Sequence, residues 1–591
     1  MPDGELDDEV LLRAYEPVIR FTRGEYFYPV SVERYVAQAA LWSTPQEGGS
    51  QMVARPGTLD LPGLVASSAV TQGLGEALSG IATGVKPDRL TIPIKDRPPR
   101  LEGGSRLAAV GMLARMVDAL SRVSLVFRGS VPGGSAARSF LLQQRQLAPD
   151  EPTYYGRVVR DGHWIVCQYW FFYAFNNWRS AFGGVNEHEA DWEQVTIYLD
   201  GAGEPGADGL PEPRWVVFSA HDETGDDLRR RWDDPDLSLV DGRHPVVFAG
   251  AGSHSGAYLA GDYLITVATP TLGGLVRVMR RLGRLVAPWP GSEVDGGLGI
   301  PYVDYARGDG RVIGAGGDAW HPVVINESTG WVRDYRGLWG HDTRDRLGGE
   351  RGPAGPRYER DGTVRQSWAD PVGWAGLAKV APNADVEAAL IGARLAELGD
   401  RLSQLESEVA PARVALERSA AGLAPASPEV RSLVPEEKRI LGMNMEITLL
   451  RDERARMQAS LGQAPPVADP QAHLRHRRTP LESVRGLRSR LLAGWAVIST
   501  PVLLYGISAI IMPTIAVSAS ITALVWVVLL LSVEGLVRGR FLSVMGRLFL
   551  ATALLVGLYY LVVDWRIVLA WTFAGAAAVL LAVNLRDALK R

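Results

Sequence analysis

The sequence predicts a mainly β chain, a sandwich with helical insertions, followed by a coiled-coil helical segment and a four-helix transmembrane region. Three observations carry this reading. Residues 154–370 are rich in aromatics and in short alternating apolar runs broken by Gly, Pro and Asp, as sandwich strands are. Residues 386–416 set apolar side chains alternately three and four apart. Leu491 to Val533 runs for 43 residues without a charge. The 591 residues are 47% hydrophobic with a net charge of −4, too apolar for a disordered chain. That total conceals an asymmetry: from Gln471 onward 13 basic residues face four acidic ones, so this tail carries +9 and the rest −13. An acidic body on a basic, apolar tail points away from nucleic acid and toward a lipid bilayer at one end.

The body, about residues 10–380, contains strand candidates at 163–175, 191–199, 214–221, 244–250 and 322–326. Helix is expected only in insertions at 106–123 and 272–286, the second a basic amphipathic stretch. The Gly- and Pro-rich segment 337–373 reads as a surface strap. Residues 384–461 follow as a coiled coil or helical hairpin. Ala388, Ile391, Leu395, Leu398, Leu402, Leu405, Val409, Ala412 and Leu416 form its first seam, and Ile440, Met443, Ile447 and Leu450 its second. Two arrangements satisfy that pattern, an antiparallel hairpin within one chain or a parallel stalk that makes a homo-oligomer. Pro411 is expected to kink the helix.

Residues 462–490 read as a flexible basic linker whose arginines meet anionic lipid. Residues 491–585 then read as four transmembrane helices, because a span needs about 20 residues. With four spans the arginine clusters at 475–490, 538–547 and 586–591 fall on one side, which places the large domain in the cytoplasm against the cell membrane. The acidic start MPDGELDDEV is no secretory signal, and the single cysteine, Cys167, excludes a disulfide scaffold.

The most informative run is NEHEADWEQVTIYLD. Residues two apart on a strand share a face, so Asp191 and Glu193 point the same way as Val195, Ile197 and Leu199. Two carboxylates entering an apolar core cost several kcal/mol, about 3–5, unless a cation or basic partners compensate. His188 sits three residues earlier as a third donor. This oxygen-rich set suits Mg, Ca or Mn better than Zn. The alternative is a turn whose carboxylates pair with arginines. His254 and His221 are candidates to line the same site.

FFYAFN, HEADWEQVTIYL, HPVVFAGAGSHSGAY and the later YRGLWG, GPAGPRY and DPVGW resemble the vacuolar protein sorting-associated protein 62 family over about residues 10–380. That family is similar to the necrosis-inducing NLP cytolysins, whose GHRHDWE motif supplies a His, an Asp and a Glu to a divalent cation in a β-sandwich. The resemblance implies an NLP-like sandwich with His188, Asp191 and Glu193 as ligands. Ala190 stands where the motif's second His would be, and Asn176 falls near a further Asp of the family. The cytolysins are secreted and disulfide-bonded, which does not suit this chain. The expected function is a membrane-anchored binding module for a polar, lipid or glycan head group. A metal-dependent hydrolase using Glu193 or His254 as base is a second reading, and an oligomeric membrane scaffold without ligand a third.

Overall fold

Two 13-residue strands, β6 (Trp164–Asn176) and β7 (His188–Asp200), lie at the centre of the architecture. In this computed structural model they pair antiparallel along nearly their whole length, from Trp164 opposite Asp200 to Asn176 opposite His188. The structure describes residues 6–44, 50–71, 76–80, 94–97, 101, 115, 134–178, 187–220, 223–267, 300–340, 352–424, 427–461, 469–475, 477, 479–481, 487–511 and 519–589. Their six-stranded sheet has the order β16 (His321–Val324), β5 (Thr153–Asp161), β6, β7, β8 (Pro213–Phe218), β9 (Arg229–Arg231). Only the β16–β5 pair is parallel.

A second sheet orders β10 (Leu239–Val240), β11 (His244–Ala249), β1 (Val18–Arg20) and β15 (Val312–Ile313), with β12 (Gly256–Ala257) on β11. The two sheets share one core. Tyr169, Phe171, Tyr173, Val195, Ile197 and Val216 of the first meet Ile19, Val247, Ala249 and Ile313 of the second. The opposite face of the six-stranded sheet is covered as well. There Trp170, Phe172 and Trp192 pack with Val32, Tyr35, Leu64, Phe140, Trp331 and Trp339. Burial on both faces explains why WIVCQYWFFYAF is nearly continuous in apolar residues instead of alternating.

All five strand candidates are strands, with ends shifted by a few residues. Helix is not confined to insertions: Val32–Gln38, Leu61–Thr71 and Gly134–Gln146 cover the outer face of the sheet. Ser31 starts the first of these, its hydroxyl capping the amide of Arg34. The insertion at 272–286, and that at 106–123 apart from Arg115, lie outside the described residues. The segment 337–373 is no surface strap in its described part. Trp339, Tyr358, Arg365 and Trp368 are buried, and Leu338 exchanges backbone hydrogen bonds with Glu76 and Leu78. Its aromatic side chains, more numerous than a solvated loop carries, draw it into the core.

Residues 384–461 form a hairpin within one chain, built from a first helix Ala384–Ala420, with Pro411 inside it, and a second helix Val434–Leu461. Leu402, Leu405 and Val409 pack against Ile440, Met443 and Ile447. Three ion pairs lace the helices: Arg394 with Glu453 at 3.0 Å, Arg401 with Glu446 at 2.9 Å and Arg451 with Glu406 at 2.7 Å. Asn383 caps the first helix through the Val386 amide, and its own amide nitrogen donates to both oxygens of Asp200 at the end of β7.

The basic linker is not free in its described part. Gln471 donates to Asp234 and Asp236, His473 donates to the Arg229 carbonyl with its ring against the Trp215 edge, and Arg477 pairs with Asp236. The acidic surface of the body thus holds arginine and amide groups that the sequence directs toward lipid.

Four helices follow, Leu487–Ile511, Ala519–Val537, Phe541–Val563 and Trp565–Leu589, but four spans are not supported. Among the described residues one helix, Phe541–Tyr559, is long and apolar enough to cross a membrane. The apolar stretches Arg490–Gly506, Val528–Val537 and Leu569–Leu581 are shorter than the roughly 20 residues that a hydrocarbon core about 30 Å thick requires. The helix Ala519–Val537 also carries a buried charge network, in which Glu534 accepts from Arg115, Arg538 and Trp495.

Candidate functional site

The site lies where β6 and β7 leave the regular ladder. Ala190 has φ +61°, a left-handed conformation that inverts which way the following side chains point. Its effect is visible in the packing: Tyr173, opposite Asp191, lies in the core between the sheets, whereas Phe175, opposite Glu189, lies in the core on the other face. Glu189 accordingly points away from Asp191 and accepts from Ser79, Gly80 and Tyr35. Asn176, next along β6, returns to the Asp191 side, where its Nδ2 donates to Asp191 Oδ2 at 3.1 Å. Strict alternation sets His188 and Asp191, three apart, on opposite faces. The inversion at Ala190 instead puts the His188–Asn176 pair on the face of Asp191 and Glu193.

Asp191 Oδ2 also receives Nδ1 of His254 at 2.9 Å. His254 has φ +59° and comes from the turn after β11, its ring stacked on Tyr173 with centroids 3.8 Å apart and planes within 4°. The other ring nitrogen lies 3.9 Å from Glu25 Oε1. Glu25 is held by backbone amides: Tyr26 and Phe27 donate to Oε1, and Gly252 donates to Oε2. Asp304, on β14 (Ile300–Ala306), accepts from Ser253 beside them. Every one of these side chains is buried.

The electrostatics follow from the crowding. Burial pushes the Tyr173 phenol well above its ordinary value, and the carboxylates of Glu193, Asp191 and Glu25 push it further, so it stays protonated. Burial lowers the affinity of His254 for a proton, but the hydrogen bond to Asp191 and the negative charge of Glu25 close by outweigh that and raise its pKa to about 9. With no ion on Asp191, this favours the imidazolium at neutral pH. In that state it has no lone pair with which to accept a proton, which speaks against His254 as the base of a hydrolase.

His188, Asn176, Asp191, Glu193 and His254 thus belong to one neighbourhood, whereas His221 lies outside the described residues. His188 Nδ1 lies 2.7 Å from the carbonyl of Ala190. Among the described residues no group of three or more His, Cys, Asp or Glu side chains is arranged to hold a metal ion. The donors still match a hard cation in kind. Asn176 Oδ1 is buried and accepts no hydrogen bond among the described residues, and it belongs to the amide that anchors Asp191. Sequence reasoning missed Glu25, Tyr173 and Asp304. The one available signal for Glu25 was a lone acid in the aromatic run FTRGEYFY.

Comparison with known proteins adds no family to this geometry: no family model, no curated protein and no solved structure matches the chain.

Proposed function

We propose that this protein is a membrane-attached binding module, a β-sandwich of the vacuolar protein sorting-associated protein 62 and NLP type whose buried acidic site takes a divalent cation and, beside it, a polar lipid or glycan head group. The observation that carries the reading is the orphaned oxygen of Asn176 next to Asp191, on the face that the Ala190 inversion shares among His188, Asp191 and Glu193. Those four residues, which are not gathered as a ligand group as they stand, would close around the ion, and the ion would supply positive charge for an anionic or hydroxyl-rich ligand. The body faces the cytoplasm in this reading, and the helix Phe541–Tyr559 attaches it to the cell membrane.

Binding is favoured over hydrolysis because His254 is hydrogen-bonded to Asp191 and lies between that carboxylate and Glu25. The test is metal analysis of the full chain, purified in detergent without chelator, together with thermal unfolding in added Ca, Mg or Mn. An ion at one hundred times its Kd should stabilise the wild type by about 2.7 kcal/mol. Asp191→Ala should lose that increment, and Asn176→Ala should lose most of it. If the purified chain holds no cation and its Tm ignores all three metals, the imidazolium of His254 is the compensating charge and the cation reading fails.

A further inference from the structure

The second hairpin helix is apolar on two sides. Ile440, Met443, Ile447 and Leu450 face the first helix. Leu441, Met445 and Leu449 are 59%, 60% and 67% exposed, and at about 100° per residue they cluster diametrically opposite that seam. Lys438 and Asp452 are exposed and fall in the same arc, seven residues before and seven after Met445. The charges toward the first helix are spent: Glu446, Arg451 and Glu453 all make the interhelical pairs described above. Lys438 and Asp452 make no ion pair among the described residues.

We infer that this outer stripe is a contact between two copies of the chain, packed antiparallel about a two-fold axis at Met445. The occupant follows from the arrangement itself. A two-fold contact must be self-complementary, and reversing this stripe about Met445 sets Leu441 on Leu449 of the other copy, Met445 on itself and Lys438 on Asp452. A parallel alignment sets Lys438 on Lys438 and Asp452 on Asp452, which repel. Gly442, with open space where a Cβ would stand, lets the helices approach closely on this side. The pairing uses the hairpin's outer face and leaves its inner seam intact.

The chain has one cysteine, Cys167, and it is buried, so a new cysteine reports position cleanly. Met445→Cys in the full chain in mild detergent should form a disulfide-linked dimer under oxidation, while Leu441→Cys alone should not. The Leu441→Cys, Leu449→Cys double variant should cross-link again. By light scattering, Lys438→Asp should raise the dimer Kd at least about tenfold, and adding Asp452→Lys should restore it. Circular dichroism separates these effects from unfolding, because all five positions are exposed. A monomeric wild type at tens of micromolar, or cross-linking by Leu441→Cys as strong as by Met445→Cys, would overturn the proposal. So would a wild-type mass retained in Leu441→Glu, Met445→Glu, Leu449→Glu.

Discussion

At Gly252 the backbone passes so close to Asn177 that a Cβ would stand 1.7 Å from its carbonyl oxygen, and φ is +75°. Its carbonyl accepts from the Asn177 amide and its own amide donates to Glu25, so one position fixes the distance between the His254 turn and the end of β6. Gly252→Ala should therefore cost about 3–5 kcal/mol and weaken whatever the site binds. Gly162 is the control: φ is +57° but nothing lies near its Cβ position, so Gly162→Ala should cost only about 1–2 kcal/mol. Urea unfolding of both variants checks the contrast, and equal losses would show that strain, not close approach, governs Gly252. At this scale the sequence was partly legible. The period of two put Asp191 and Glu193 on the face of Val195 and Ile197, where the structure has them. It could not place His188 with them, because that depends on one left-handed residue, Ala190, which no side-chain pattern signals.

Between elements, the hairpin and the sheet are joined through Asp200. Burial alone would raise its pKa, yet the Asn383 amide, Arg214 and the backbone amides of Gly203 and Ala202 hold the carboxyl below its usual range. A depressed pKa means stabilisation that is present above the unfolded value of about 3.9 and lost as pH falls through the folded one. Asp200→Ala should cost about 2 kcal/mol at pH 7, a difference that closes in acid below about pH 4. Within the hairpin, Leu402→Asp with Leu405→Asp buries charge in the seam at a cost of about 3 kcal/mol or more each. Helix content should fall in circular dichroism before the body unfolds. Three-four spacing announced the seam but not its partner, since a second helix of the same chain and a helix of a second chain present the same apolar stripe.

For the whole molecule the decisive question is what covers Phe541–Tyr559, where Phe549, Leu550 and Leu554 are mostly exposed. A bilayer is the proposed answer. Leu550→Arg with Leu554→Arg would then cost about 5–7 kcal/mol of insertion and should move the protein from the carbonate-resistant membrane fraction to the supernatant. Retention in the pellet would mean that the shorter apolar helices hold it instead. By itself the sequence determined the division of the chain into an aromatic strand-rich body, a heptad-patterned helical segment and an apolar tail. It did so because burial free energy acts on each side chain, so every element records which of its sides avoids water. Only the tertiary structure decided what each side meets. It put Glu25, Asn176, Asp191 and His254 in one buried cluster, drew Ala354, Tyr358, Arg365 and Trp368 into the core, closed the hairpin on itself and docked part of the basic linker on the body. These are pairings between distant positions, and apolar surface is non-directional: its pattern names the need for a partner but not the partner.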